Sequence, residues 1–509
     1  MALMTAVAFA APGLAPASAR SVAELRTQIQ AHLTEPRFAG ALWGVKIASL
    51  ETGQVIFEEH PARLMSPASN SKLYVGALAL DRFGGDYRIV TPMLATLAPN
   101  ADGRVTGDMI VSGRGDPSWK AHPRRGDFWA AFKPFVAVLK EAGVRHITGD
   151  VIADTTFFSS PPYGAGWVIE DLNDDYGAEI SAITLEENYV DLRITPSAIV
   201  GRACEFDLVQ PHSGLVFHNR TVTTSKGGAR SIHARRELGG TVVHVFGELP
   251  VGGAEEMLDV PVPRPAAWFA TALKEALSRA GIRVDGQSRS VSWPAQSPIA
   301  RNAVKLGEVT SAPLRELIAA LMKPSQNLET DLVFAHVGEA ARSSEAPSWR
   351  TSEQCAVGAL RDFLQRSGLP ADEVRFDEGS GLSRNNLTSA NATLALLTFM
   401  AKHREADAFL ASLPIAGVDG TLRRRLRGTA AEGNVRAKTG TLRWANSLSG
   451  YVTSEAGERL AFSVMLNRSI VPPGRFGRDD VDAIALMLAR FSGRSDAAES
   501  NSKARKPKT

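Results

Sequence analysis

The chain has 509 residues, 44% hydrophobic, 22% charged and 7% aromatic, with 57 basic against 54 acidic residues and a formal net charge of +3. That length exceeds one ordinary core, and a composition near the globular average excludes extensive disorder, collagen-like repeats and low-complexity arrays. Balanced charge gives no electrostatic case for a nucleic-acid partner, and two cysteines, Cys204 and Cys355, exclude a disulfide scaffold or a multi-cysteine zinc site.

At the start, residues 2–11 form an apolar run of secretory length, followed by Pro12, Gly13 and Pro16 and then by Ala17-Ser18-Ala19, a small-x-small cleavage pattern. Residues 1–19 therefore read as a signal peptide cut after Ala19, although no Lys or Arg precedes the apolar run. No later stretch reaches the ~18 uninterrupted apolar residues of a membrane span. The expectation is a periplasmic or secreted protein without a transmembrane anchor. In such an oxidising compartment the spacing of Cys204 and Cys355 neither supports nor forbids a pair.

Val22, Leu25, Ile29 and Leu33 make a short helical stripe, and residues 43–50 and 54–59 read as strands joined at Glu51-Thr52-Gly53. Residues 73–80, after Ser66-Pro67, are apolar enough for a buried helix. Between 90 and 303, short alternating segments such as 104–111 and 190–194, with frequent Gly and Pro, predict small β-rich units interrupted by one helix over 266–280. Helices are then expected over 312–322, 328–341, 353–367 and 390–402. Strands follow over 435–442, 447–453 and 460–466, with a closing helix over 480–491. Both ends read as pieces of one α/β domain interrupted by an insertion. The last residues, 495–509, carry Lys503, Arg505, Lys506 and Lys508 without apolar periodicity and read as a solvated tail.

Three short motifs carry chemistry. In Ser69-Asn70-Ser71-Lys72 the serine and lysine are three apart where the buried helix begins, so hydroxyl and ammonium share a helical face. Free N–H groups and the positive end of the helix dipole suit an oxyanion and lower the lysine's proton affinity. Lys438-Thr439-Gly440-Thr441 lies on a predicted strand, where the glycine permits close approach and the lysine and threonines suit a carboxylate. Ser325-Gln326-Asn327 falls in a break between helices. Singly each is common: Ser500–Lys503 repeats the first spacing, and Ser383–Asn385 and Ser389–Asn391 repeat the third. Their order is not common.

S-x-x-K, S-x-N and K-T-G in this order form the set of penicillin-binding proteins and class A β-lactamases. Over roughly residues 40–467 the chain resembles, more narrowly, the class C D-alanyl-D-alanine carboxypeptidase/endopeptidase family of penicillin-binding proteins. The resemblance rests on Pro67-Ala68-Ser69-Asn70-Ser71-Lys72, Gly115-Asp116-Pro117, Asp154-Thr155-Thr156-Phe157, Ser325-Gln326-Asn327, Gly379-Ser380-Gly381-Leu382-Ser383-Arg384, Gly417-Val418-Asp419-Gly420-Thr421-Leu422 and Lys438-Thr439-Gly440-Thr441. It implies an α/β multidomain protein with a serine β-lactamase/transpeptidase-like catalytic domain, an antiparallel sheet flanked by helices, split by a long β-rich insertion. The implied bounds are 20–90 and 304–493 for the catalytic domain, 91–195 and 259–303 for an inserted second domain, 196–258 for a third nested in it, and 494–509 for the tail.

The implied reaction is acyl transfer on peptidoglycan stem peptides without metal or cofactor. Ser69 is the expected nucleophile and Lys72 its general base. The N–H groups of Ser69 and Thr441 would form the oxyanion hole. Ser325 and Lys438 would relay a proton to the leaving amine, while Asn327 orients the substrate amide. Thr439 and Thr441, beside Gly440, would hold the terminal carboxylate. Asp154 would meet the free amino group of a diaminopimelate side chain, and β-lactam antibiotics would acylate Ser69. Glu378 stands where the family usually has Asp. Two alternatives remain, a β-lactamase on the same frame and a non-catalytic cell-wall scaffold. Fast penicillin turnover would mark the first, and function surviving Ser69→Ala the second. The Arg114-Gly115-Asp116 tripeptide is absorbed by its turn, and Arg423-Arg424-Arg425 reads as a solvated helix face.

Overall fold

The computed structural model describes residues 18–121, 126–471 and 474–496. The signal-peptide reading of residues 1–17 and the tail reading of 497–509 lie outside them. Ala19, the last residue of the expected leader, is 1% exposed, and its carbonyl accepts from Ser492 N at 3.0 Å. Among the described residues no helix is long and apolar enough to cross a membrane. The chain divides into two compact units.

The first unit takes the described residues of Met1–Met65, Ser389–Ala401 and Pro414–Thr509. Its five-stranded antiparallel sheet runs Arg436–Leu442, Ala445–Thr453, Arg459–Asn467, Leu42–Ser49, Val55–Glu59. Leu42 opposite Asn467 and Ser49 opposite Leu460 knit the two chain ends into one sheet, as the sequence pattern expects. Gly53, at φ +74°, supplies the left-handed residue of the hairpin turn. Helices Val22–Leu33, Ala390–Met400 and Gly477–Ala489 flank the sheet, burying Leu25, Ile29, Val481, Ile484 and Leu488 with Val45, Ile47, Phe462 and Val464. One expectation fails here: Arg425 is no solvated residue. It grips Asp482 bidentately at 2.6 and 2.9 Å, with both side chains 11% exposed.

The second unit takes Ser66–Thr388 and Lys402–Leu413. Its helices Ser71–Phe83, Leu314–Met322, Asn327–Ala341 and Ser352–Arg366 fall within two or three residues of the expected bounds. Its large sheet runs Ser288–Val291, Val151–Asp154, Met109–Ser112, Val90–Ala95, Val304–Thr310. The first three strands are parallel, and the last two pair antiparallel. Two further three-stranded sheets are Glu256–Pro261, Tyr189–Thr195 and Glu205–Leu208, and Val216–Thr224, Val242–Pro250 and Ser231–Arg236, beside a small one of Arg283–Val284, His146–Ile147 and Arg104–Val105 and the pair Val374–Arg375 and Leu387–Thr388. The 90–303 stretch holds a second α-helix besides Pro265–Arg279, namely Lys133–Glu141, where the sequence analysis expects only one; Pro134 stands in its first turn. Proline in a first turn suits a helix start. Phe135 and Leu139 then bury its inner face, with Phe135 edge-on to Trp119 and Phe269. Cys204 and Cys355 are buried and free.

Candidate active site

Ser69 lies in a 3-10 turn, Ala68–Asn70, that runs straight into helix Ser71–Phe83. Leu73, Tyr74, Val75, Ala77, Leu78 and Leu80 leave that helix no solvent face for its first ten residues, so Lys72 on its first turn is carried into the interior with them. Ala68 has a left-handed φ of +48°, a strained setting just before the serine. Gly381 packs against this turn: a Cβ there would stand 2.0 Å from the Ala68 carbonyl oxygen, and its own φ is +82°.

Lys72 is fully buried and has three neutral partners. Its Nζ lies 2.6 Å from the Ser380 carbonyl oxygen, 2.7 Å from Asn327 Oδ1 and 3.2 Å from Ser69 Oγ. Asn327 opens helix Asn327–Ala341, and its Nδ2 donates to the Tyr176 carbonyl at 3.0 Å, which aims Oδ1 at the lysine. Ser325, two residues earlier, sits at φ +69°, again left-handed for a non-glycine. Gln326 between them caps the helix through Leu328 N.

Two buried carboxylates back Lys72. Asp331, one helical turn beyond Asn327, accepts from Gly379 N at 3.0 Å and Ser380 N at 2.9 Å. Its other oxygen meets no donor and lies beside Glu378. Glu378 is fully buried and accepts from Ser380 N, Gly381 N, Ser383 N and Asn386 Nδ2 and from the Ser380 hydroxyl. Burial strips water from Lys72 and lowers its pKa to about 8, against the opposing pull of Asp331 and Glu378. Burial, and then the charge of Glu378, raises Asp331 well above the usual carboxylate range. Asp331 and the Ser380 carbonyl escaped the sequence reading. The i, i+4 spacing of Asn327 and Asp331 was the available signal.

A cavity of about 700 Å³ opens beside Ser325 and Asn327, lined also by Lys120, Tyr176, Glu186, Glu187 and Asp191. Glu186, Glu187 and Asn188 are three consecutive left-handed residues, a turn that presents the two glutamates. Lys120 bridges Glu187 at 2.7 Å and Glu329 at 2.5 Å, while burial raises Glu186 to about 7. Asp154 does not line this cavity. It ends strand Val151–Asp154, buried, and its carboxylate accepts from Thr156 N, Thr156 Oγ1 and Ser297 Oγ at 2.7–3.0 Å.

Lys438, Thr439, Gly440 and Thr441 belong to the first unit, on strand Arg436–Leu442. Lys438 is fully buried, with Nζ donating to the Thr439 carbonyl at 2.9 Å. Thr439 Oγ1 donates to Thr421 Oγ1 at 2.8 Å, which joins the 417–422 block to the K-T-G strand. Thr441 is exposed.

The model of the D-Ala-D-Ala carboxypeptidase 3 (S13) family matches residues 25–490. A D-alanyl-D-alanine carboxypeptidase of Actinomadura sp. (strain R39) is 34% identical over 495 residues, covering 95% of this chain and 88% of the relative. The D-alanyl-D-alanine carboxypeptidase DacB of Haemophilus influenzae is 27% identical over 443 residues, 86% of this chain and 87% of the relative. The crystal structure of penicillin binding protein 4 from Haemophilus influenzae superposes with a TM-score of 0.75 at 25% identity, covering 91% of this chain and 98% of that one.

Proposed function

Since the chain belongs to the D-Ala-D-Ala carboxypeptidase 3 (S13) family, we propose that Ser69 is its nucleophile and Lys72 the general base that activates it. Ser69 attacks the carbonyl between the last two D-amino acids of a peptidoglycan stem peptide, and Lys72 takes the hydroxyl proton. The observation that carries this is the burial of Lys72 within 3.2 Å of Ser69 Oγ, with its pKa lowered to about 8. A base poised near the working pH is what the chemistry needs.

In this reading the Ser69 and Thr441 N–H groups receive the oxyanion. Ser325 and Lys438 pass the proton to the leaving amine, Asn327 orients the substrate amide, and Thr439 with Thr441 takes the terminal carboxylate. Asp154 meets the amino group of a diaminopimelate side chain through the lone pair its three present donors leave open. Water releases the acyl-enzyme. The same atoms serve carboxypeptidase action on a pentapeptide and endopeptidase action on a cross-link. The catalytic domain would comprise residues 20–90 and 304–493 in a periplasmic or secreted protein.

β-Lactams, which mimic the terminal dipeptide, would acylate Ser69. A second crystal structure of penicillin binding protein 4 from Haemophilus influenzae holds a novel β-lactam. The test is intact mass after benzylpenicillin, followed from seconds to an hour. A persistent adduct of one penicillin that Ser69→Ala abolishes is expected. Consumption of penicillin without an adduct would make the protein a β-lactamase instead. Neither adduct nor consumption would favour a scaffold.

A further inference from the structure

The sheet of strands Val216–Thr224, Val242–Pro250 and Ser231–Arg236 has one face in the core and one in solvent. Phe217, Val243, Val245, Ile232 and Ala234 point inward, within the core cluster or packed on it. Alternation turns their neighbours outward. The pairing sets His218, His244 and Arg235 in one row across the sheet, and Arg220, Phe246 and His233 in the next. The rings of His218 and His244 are 5.1 Å apart and those of His233 and Phe246 are 5.7 Å apart, so these side chains share the outer face.

This face lacks internal partners for its cations. Among the described residues the side chains of Arg220 and Arg235 make no hydrogen bond or ion pair, whereas nearby Arg230 and Arg193 are paired with Glu256 and Asp207. His244 Nδ1 is buried without a hydrogen-bond partner. The two rows hold two guanidinium groups, three imidazoles and an exposed phenyl ring, and no carboxylate. Glu248 enters only in the following row, opposite Val222 and Ser231. Val216 and Val242, exposed by 51% and 37%, extend the face with apolar surface. Two unpaired guanidinium groups, one on each edge strand, can each take a carboxylate bidentately. Phe246 on the strand between them, and the valines at the end of the face, suit the faces of sugar rings.

We propose that this sheet face docks the peptidoglycan polymer, with Arg220 and Arg235 taking carboxylates of its stem peptides while Phe246 and the valines lie against the glycan. The identity of the polymer rests on the DD-peptidase reading of Ser69 and Lys72. A carboxylate-bearing substrate strand meets this cationic face through charge complementarity, and the contact involves none of the proposed catalytic residues.

The experiment sediments purified peptidoglycan sacculi with the full chain carrying Ser69→Ala, so that binding is read without turnover. Adding Arg220→Ser and Arg235→Ser should lower the sedimented fraction about tenfold at low salt, the loss of two exposed charge-assisted contacts. With Ser69 intact, the arginine double variant should still release D-alanine from a short soluble pentapeptide at the unaltered rate. Equal sedimentation with and without the arginines would overturn the proposal. So would undiminished binding to sacculi whose carboxylates have been amidated. Tighter binding to vesicles of phosphatidylcholine and phosphatidylglycerol than to sacculi would also overturn it, in favour of a membrane surface. Failure of the unaltered enzyme to release D-alanine would strike the DD-peptidase reading alone, because sedimentation is scored without catalysis.

Discussion

The side-chain nitrogen of Lys72 stands 2.6 Å from the carbonyl oxygen of Ser380. With Asn327 Oδ1 at 2.7 Å it has two carbonyl acceptors, and with Ser69 Oγ at 3.2 Å one hydroxyl. A neutral amine has two N–H groups and one lone pair. Two fixed acceptors occupy the N–H groups and leave the lone pair facing the one group able to donate, the serine hydroxyl. The site is thus built for the free base, and desolvation of the ammonium by burial drives it toward that form.

Acylation should therefore depend on deprotonation of Lys72. The second-order rate of penicillin acylation, measured from pH 5 to 10, is expected to rise with pH along a limb centred near the lysine pKa of about 8. Lys72→Arg, which cannot deprotonate, should lose about 10³-fold of that rate at every pH. A flat profile would mean that Lys72 does not carry the proton.

The carboxylates behind Lys72 give that limb a sign. Five hydrogen bonds converge on Glu378, and burial together with the charge of Glu378 raises Asp331 well above the usual carboxylate range. Removing the Glu378 charge destabilises the ammonium, so Glu378→Gln should move the limb to lower pH. Asp331 opposes the desolvation of Lys72 as well, so Asp331→Asn should move the limb the same way, while its amide oxygen keeps both backbone acceptances. Asn327→Asp puts a negative charge where Oδ1 now meets Lys72 and should move the limb upward, slowing acylation at pH 7 roughly tenfold. Three parallel pH profiles test all three signs.

Much of this site was legible as sequence, for a physical reason. Ser69, Lys72 and Asn327 lie at helix starts, where the i, i+3 rule and local motif spacing operate over a few residues. Asp331 was readable by the same rule once Asn327 was placed. The Ser380 carbonyl was not, because backbone acceptors carry no letter and its loop reaches the Ser69 turn only through tertiary folding. The fold divides similarly. Strands 436–442, 445–453 and 459–467 announce themselves by apolar runs and turns, whereas the parallel pairing of 109–112, 151–154 and 288–291 joins segments far apart in the chain. Helix Lys133–Glu141 is only nine residues long and carries a proline in its first turn, so its apolar stripe is short, with Phe135 and Leu139 as its buried residues.

Gly381 is the hinge between these local and tertiary parts. Gly381→Ala would place a methyl 2.0 Å from the Ala68 carbonyl and strain a φ of +82°. Loop 379–381 must then withdraw from the nucleophile's turn, taking the Ser380 carbonyl off Lys72. The expected loss is about 2 kcal/mol or more of stability, read by urea unfolding, together with slower penicillin acylation. Loss of stability with unchanged acylation would show that the loop does not position the base.

The last prediction concerns the terminal carboxylate. Thr439 and Thr421 form a hydroxyl pair in which one O–H donates to the other, so one donor of the two stays available to a ligand. Thr439→Val removes the hydroxyl on the K-T-G strand itself. A hydrogen bond to a charged group is worth about 1.5–3 kcal/mol, so KM for a peptide with a free C-terminal carboxylate should rise at least tenfold. A peptide whose C-terminus is a methyl ester has no such charge to lose and should be little affected. Thr421→Val leaves the Thr439 hydroxyl free to donate directly and should change KM far less. If both variants raise KM equally for acid and ester, the threonines shape the strand and do not read the carboxylate.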